Sequence, residues 1–206
     1  LRGLSPSAMG DIGGDIGATG MALGQALLCV TSLGCALHAR QVTGVPMSPQ
    51  VTGGPAAGFL LQALAAASDA LSPSCPQSVP KEDPMPGSWV TSVLAQPLVA
   101  FGCHLLGGDR TTANLLLASV TSAAAVAWWW PRDGRALVCH FVTALTSGSL
   151  LVLAALAGSV TGAVAAALVA LGDVVAPRGV PWVRVVASVA LSGTLRELRG
   201  VTEGDK

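Results

Sequence analysis

Residues 136–172 read ALVCHFVTALTSGSLLVLAALAGSVTGAVAAALVALG, 37 consecutive positions without Asp, Glu, Lys or Arg. As one helix this run would extend about 55 Å at about 1.5 Å per residue. The hydrocarbon core of a bilayer is about 30 Å thick, and about 20 apolar residues cross it. One crossing cannot absorb the run. Its natural break is Gly158-Ser159-Val160-Thr161-Gly162, so the stretch predicts two membrane spans joined by a tight turn, with lipid as the surrounding solvent.

Composition leads to the same class by an independent route. Charged residues make up 11% of the chain and hydrophobic residues 51%, with a mean hydropathy of +0.63, whereas a soluble domain carries roughly 25% charge. Most of the 206 residues are committed to spans, which leaves no stretch long enough for a separate soluble core. The expected fold class is therefore all-α, a polytopic transmembrane helical bundle. Eleven basic and eleven acidic residues cancel and the basic ones stand singly or in pairs, so no field draws the chain to nucleic acid. Cys29, Cys35, Cys75, Cys103 and Cys139 form no C-x-x-C pair, and four of them lie in apolar stretches as small hydrophobes. Cys75, in a proline-rich loop, is the one placed for palmitoylation or redox chemistry. The sole asparagine, Asn114, is followed by Leu115 and Leu116, which is no glycosylation acceptor. The chain begins at Leu1 and reads as a processed form or a piece of a longer one, with Met9 and Met21 as candidate starts.

Six segments pass a span-length test: Ala18–Leu37, Pro55–Leu71, Trp89–Gly107, Ala113–Trp130, Ala136–Ala157 and Ser159–Ala176. Residues 1–17 are expected to be a disordered tail. Asp11 and Asp15 stand ahead of the first span in place of a basic cluster, so that span reads as uncleaved. The connection Ser72–Ser88, with Pro73, Pro76, Pro80, Pro84 and Pro86, reads as polyproline-like. Residues 181–199 are ambiguous. Arg184 precedes Arg196 by about 18 Å of helix, short of the hydrocarbon thickness, and Arg184, Ser188, Ser192 and Arg196 recur every four residues as one polar stripe. An interfacial helix or a seventh span fits this pattern, with residues 200–206 as a polar tail.

Charge counting favours six spans. With six, Arg2, Lys81, Arg132, Arg135, Arg178, Arg184, Arg196, Arg199 and Lys206 share one side and only Arg40 and Arg110 the other, a bias that marks the cytoplasmic face. With seven spans the bias disappears. Trp89, Trp128, Trp129, Trp130 and Trp182 all fall at that same face and read as a one-sided aromatic belt.

Ionisable and amide side chains inside spans are the candidates for function, because hydrocarbon makes them expensive. Asp69, His140 and Asp173 fall in one leaflet of the six-span arrangement and define a candidate polar layer, a carboxylate and imidazole cluster able to hold a proton. The plainer reading is that these residues reach headgroups or nearby arginines. Gln25, Gln62 and Gln96, with His104, are candidate helix-to-helix contacts; such bonds contribute roughly 0.6 to 2 kcal/mol each. Gln96 and His104 share one face of a helix that Pro97 loosens. No hydrolase, zinc-protease or phosphate-loop signature occurs, and the three histidines predict neither a metal site nor a cofactor.

The expected function is that of a non-enzymatic, multi-pass accessory or scaffold bundle. Its partners would be the bilayer and another membrane protein or a second copy of the chain. The competing class is a small transporter or channel, a proton-linked one included, although the two halves show none of the internal repeat common in transporters. Span lengths of 17 to 22 residues suit the thinner endoplasmic reticulum membrane better than the plasma membrane.

Overall fold

In a computed structural model the protein is described at residues 7–42, 49–71, 87–129, 133–175 and 181–204, and all its elements there are helical. They are α1 (Ser7–Val42), α2 (Pro49–Leu71), α3 (Gly87–Val90), a π turn (Thr91–Ala95), α4 (Gln96–Leu106), α5 (Arg110–Trp129), α6 (Asp133–Ala157), α7 (Val160–Val175) and α8 (Trp182–Gly204). Two stretches, Gly20–Gln41 and Gly134–Ala157, are long and apolar enough to cross a membrane, and Thr91–Leu106 and Val160–Gly172 are shorter apolar helices. Most of the proline-rich connection, with Cys75, lies outside the described residues.

Local chemistry sets the breaks. Helix α1 starts at Ser7, not at Ala18, because Pro6 stands just ahead of it and no other proline interrupts before Pro46. The tail expected over residues 1–17 is therefore helical from Ser7 onward. In α3–α4, Pro97 has no N–H to give and crowds the carbonyl one turn earlier. The chain widens there, and the Gln96 N–H donates to Thr91 O, five residues back. The α4–α5 turn uses Gly108 at φ 81°. Asp109 then caps α5, its Oδ1 accepting from Thr112 N at 3.0 Å. The α6–α7 turn is tighter than the five-residue break suggests. Gly158 at φ 63° takes the left-handed conformation, and Ser159 caps α7 by accepting from Gly162 N at 3.0 Å.

The helices run alternately up and down between two ends. At one end Gly87 N donates to Asp69 Oδ1 at 3.0 Å; toward the other, a Cβ placed on Gly102 would lie 2.0 Å from Pro55. The α3–α4 rod is thus antiparallel to α2. Gly107 abuts Leu153, while Trp89 and Val93 cluster with Val138 and Val142, so the rod is parallel to α6. The main core joins Cys35, Ala39, Phe59, Val99, Cys103, Leu150, Val169, Leu191 and Leu195, drawn from α1, α2, α4, α6, α7 and α8.

Helix α8 differs from an interfacial helix lying across the end of a bundle. It runs antiparallel along α7: Gly172 lies beside Arg184, Gly162 beside Thr194, and Glu197 reaches the α6–α7 turn. Its polar stripe divides. Arg184 and Ser188 are buried, whereas Arg196 is exposed. The physical reason is that Arg184 and Ser188 find polar partners on other helices, which sequence spacing alone does not reveal. The helix also continues to Gly204, through most of the expected polar tail. Trp89 is a further departure: it is buried in the core, while Trp129 and Trp182 are exposed at that end as a belt requires.

Candidate functional site

The candidate site is the polar interior around the α3–α4 rod. One part is fully bonded. Gln62 Nε2, from α2, donates to Ser188 Oγ of α8 at 2.7 Å, and that hydroxyl donates to Arg184 O at 2.8 Å. Arg184 Nη2 donates to Ser92 Oγ in the π turn at 3.4 Å. Cys35 Sγ of α1 donates weakly to Ser188 O at 3.7 Å. Helices α1, α2 and α8 therefore meet at Ser188, and the π turn joins them through Arg184. The widened turn before Pro97 presents Thr91, Ser92 and Gln96 to the interior, and all three are buried.

A second part of the interior is polar and unbonded. Gln96 Oε1, both ring nitrogens of His104, Thr143 Oγ1 and Thr146 Oγ1 are buried without hydrogen-bond partners. His104 is 2% exposed, one turn inside the exposed Gly107–Asp109 corner. On the outer surface a groove of about 450 Å³ separates α6 from α7, lined by His140, Thr143, Ser147, Gly148, Ala166 and Ala170 among others.

Of the Asp69, His140 and Asp173 layer, the structure describes the side chains of the first two. The Asp69 carboxylate is bound to Gly87 N at the α2–α3 junction, and His140 is exposed on the groove side of α6. Asp173 lies in α7, with its side chain outside what the structure describes. Gln25, Gln62 and Gln96 do not bond one another among the described residues. Gln62 is instead a helix-to-helix contact through Ser188, Gln96 and His104 are buried, and Gln25 is only half-buried. Ser92, Thr146, Ser188 and Glu197 were not singled out by sequence reasoning for these roles. The one available signal was the four-residue recurrence of Arg184 and Ser188, which marks a stripe but not the side it faces. Among the described residues, no group of three or more His, Cys, Asp or Glu side chains is placed to hold a metal ion.

The chain is similar to proteins called Transmembrane protein 276. The Homo sapiens protein is 32% identical over 126 residues, 61% of this chain and 61% of that one. The Bos taurus protein is 34% identical over 119 residues, 58% of this chain and 60% of that one, and the Rattus norvegicus protein 44% over 84 residues, 41% and 39%. The chain thus spans between 39% and 61% of the length of these curated relatives. No family model and no solved structure matches it. These names and the two apolar helices of crossing length agree with the composition, and all the described elements are helical.

Two measurements probe the site. Removing either end of the Gln62–Ser188 bond, as Gln62→Leu or Ser188→Ala, is expected to destabilise the bundle, and a double-mutant cycle should give a coupling of about 0.6 to 1.7 kcal/mol. Zero coupling in denaturation from mixed micelles would remove that bond from the account. The second concerns Glu197, whose carboxylate accepts from Ser159 Oγ at 2.6 Å and Thr161 Oγ1 at 2.5 Å. These bonds, Ser159's first, hold its pKa below the ordinary 4.5. A carboxylate with a depressed folded pKa contributes stability that is complete above its unfolded value and fades as pH falls through the folded one. The α7–α8 clasp should therefore weaken below about pH 4.5. A thermal-midpoint series from pH 7 to pH 3 should show this step in the parent chain and lose it in Glu197→Gln.

Proposed function

We propose that this chain is a multi-pass membrane protein of seven crossings, formed by α1, α2, the α3–α4 rod, α5, α6, α7 and α8, and that it serves without catalysis as an accessory bundle for a membrane partner. The observation that carries the reading is its inverted surface. Large apolar side chains face outward from most of the helices, Leu64 at 67% and Leu156 at 82% exposure among them, while Gln62, Gln96, His104, Thr146, Arg184 and Ser188 are buried. Water would not tolerate that surface, and lipid favours it. The alternating helix directions and the antiparallel course of α8 along α7 support the seventh crossing, which places the two ends of the described chain on opposite faces.

The surface this reading assigns to a partner helix is the α6–α7 groove, where Ala144, Gly148, Ala166, Ala167 and Ala170 allow close backbone approach. Short crossings favour an endomembrane such as the endoplasmic reticulum. Tags at the two termini, tested for antibody access after selective permeabilisation, should report opposite sides. Same-side termini would overturn the seventh crossing. Affinity purification in mild detergent should recover a stoichiometric membrane partner that Gly148→Leu releases; a lone monomer would overturn the accessory role.

A further inference from the structure

Among the described residues, eight buried side-chain polar atoms have no hydrogen-bond partner, and seven of them lie on the α3–α4 rod and α6. They belong to Trp89, Gln96 and His104 on the rod and to Arg135, Thr143 and Thr146 on α6, the exception being Ser32 Oγ on α1. The two helices are parallel neighbours, with Gly107 beside Leu153 fixing their register. Trp89 and Arg135 then share one level, followed in turn by Gln96, Thr146 and His104, while Thr143 stands at the edge of the seam toward the α6–α7 groove. From Trp89 to His104 the row covers about 22 Å at 1.5 Å per residue, most of a hydrocarbon core of about 30 Å.

The behaviour of the threonines is specific. Thr31 and Thr194 turn their hydroxyls onto carbonyls of their own helices, as Ser119 and Ser149 do. Thr143 and Thr146 leave that option unused. A buried polar group without a partner has lost its hydration uncompensated, and seven such atoms together are more than a folded chain ordinarily leaves unpaired. A row of such groups is satisfied by water, each molecule bridging two to four polar atoms. The flanking Val93, Ala100 and Val142 are wholly buried, so the row is closed off from the surrounding lipid at these positions.

We propose that the seam between the α3–α4 rod and α6 is a single-file hydrated path that carries protons through the bundle, with His104 as its relay at the end closed by Asp109. A neutral imidazole has one protonated and one bare ring nitrogen. The bare nitrogen takes a proton from the water on one side, the other nitrogen releases its own to the water beyond, and nothing is oxidised or reduced. Asp109, whose N–H donates to His104 O at 3.0 Å, stands exposed just outside. The inference goes beyond the accessory role and does not depend on it.

The test is the full chain in liposomes holding a trapped pH-sensitive dye, with a potassium gradient and valinomycin as the driving force. The parent chain should pass protons faster than empty vesicles, and His104→Phe and Thr146→Val should fall to the empty-vesicle rate. Ser32→Ala, off the seam, should match the parent. A parent rate equal to empty vesicles, or a His104→Phe rate equal to the parent, overturns the proposal. Hydroxyl-radical footprinting of the unaltered chain guards against misfolded variants. Trp89 and His104 should label faster than the dry core residue Phe59, and equal labelling overturns the path. An error in the crossing number would appear in the terminal-access test and not in these.

Discussion

Gly58→Ala is expected to destabilise the bundle by about 2–3 kcal/mol, the scale of an overpacked core. A Cβ there would stand 2.6 Å from Ala95 O and 2.8 Å from Val99 Cγ2. The first obstacle is backbone and cannot swing aside. It also belongs to the last residue of the π turn, so relieving the clash means moving α2 off the rod and loosening Gln96. The contrasting substitution is Gly34→Ala, where a Cβ meets nothing within 4 Å. It should be neutral or slightly stabilising, because alanine favours a helix over glycine by up to about 1 kcal/mol. Thermal midpoints of the two purified variants should move in opposite directions, and equal midpoints would mean that α2 and the rod are not in this close contact.

Phe59→Ala should cost more, about 3–5 kcal/mol, because it empties the largest fully buried side chain. Lipid is as apolar as the core, so little of this loss is hydrophobic transfer. It is lost packing in the core that Phe59 shares with Cys35, Ala39, Val99, Cys103 and Leu195. The neighbouring Leu60 is 43% exposed, and Leu60→Ala should be nearly silent, since lipid replaces what the side chain covered. Denaturation from mixed micelles separates the two cases, and a mild effect of Phe59→Ala would displace it from the centre of the core.

Both contrasts turn on which face of α2 is inside, which no local pattern in the sequence determines. Runs without charge predicted where helices lie, because excluding charge is a local property of the chain. The shared face of Gln96 and His104 was legible for the same reason, being a matter of helical period. What could not be read is which helix answers which. Asp69 reads as one member of a polar layer, but its bond to Gly87 N was not legible, since that pairing exists only once α2 and α3 have met. Arg184 and Ser188 read as part of one polar stripe on an interfacial helix or a seventh span; Gln62 bonds Ser188 and Ser92 bonds Arg184 from 126 and 92 residues away. Thr146 carried no signal at all, since a threonine in an apolar helix normally bonds its own backbone.

The π turn has a genetic consequence. A π turn is an α-helix carrying one surplus residue, so Thr91–Ala95 is a place where the reading frame of the helix can absorb a change in length. Losing one codon here would return the turn to ordinary winding and leave Trp89 on one side and His104 on the other still facing the interior. The same loss in the middle of α6 would rotate every later side chain by about 100° and turn Thr146 and Leu150 toward lipid. Across related sequences, single-residue gaps should therefore gather just ahead of Pro97 and be purged from α6.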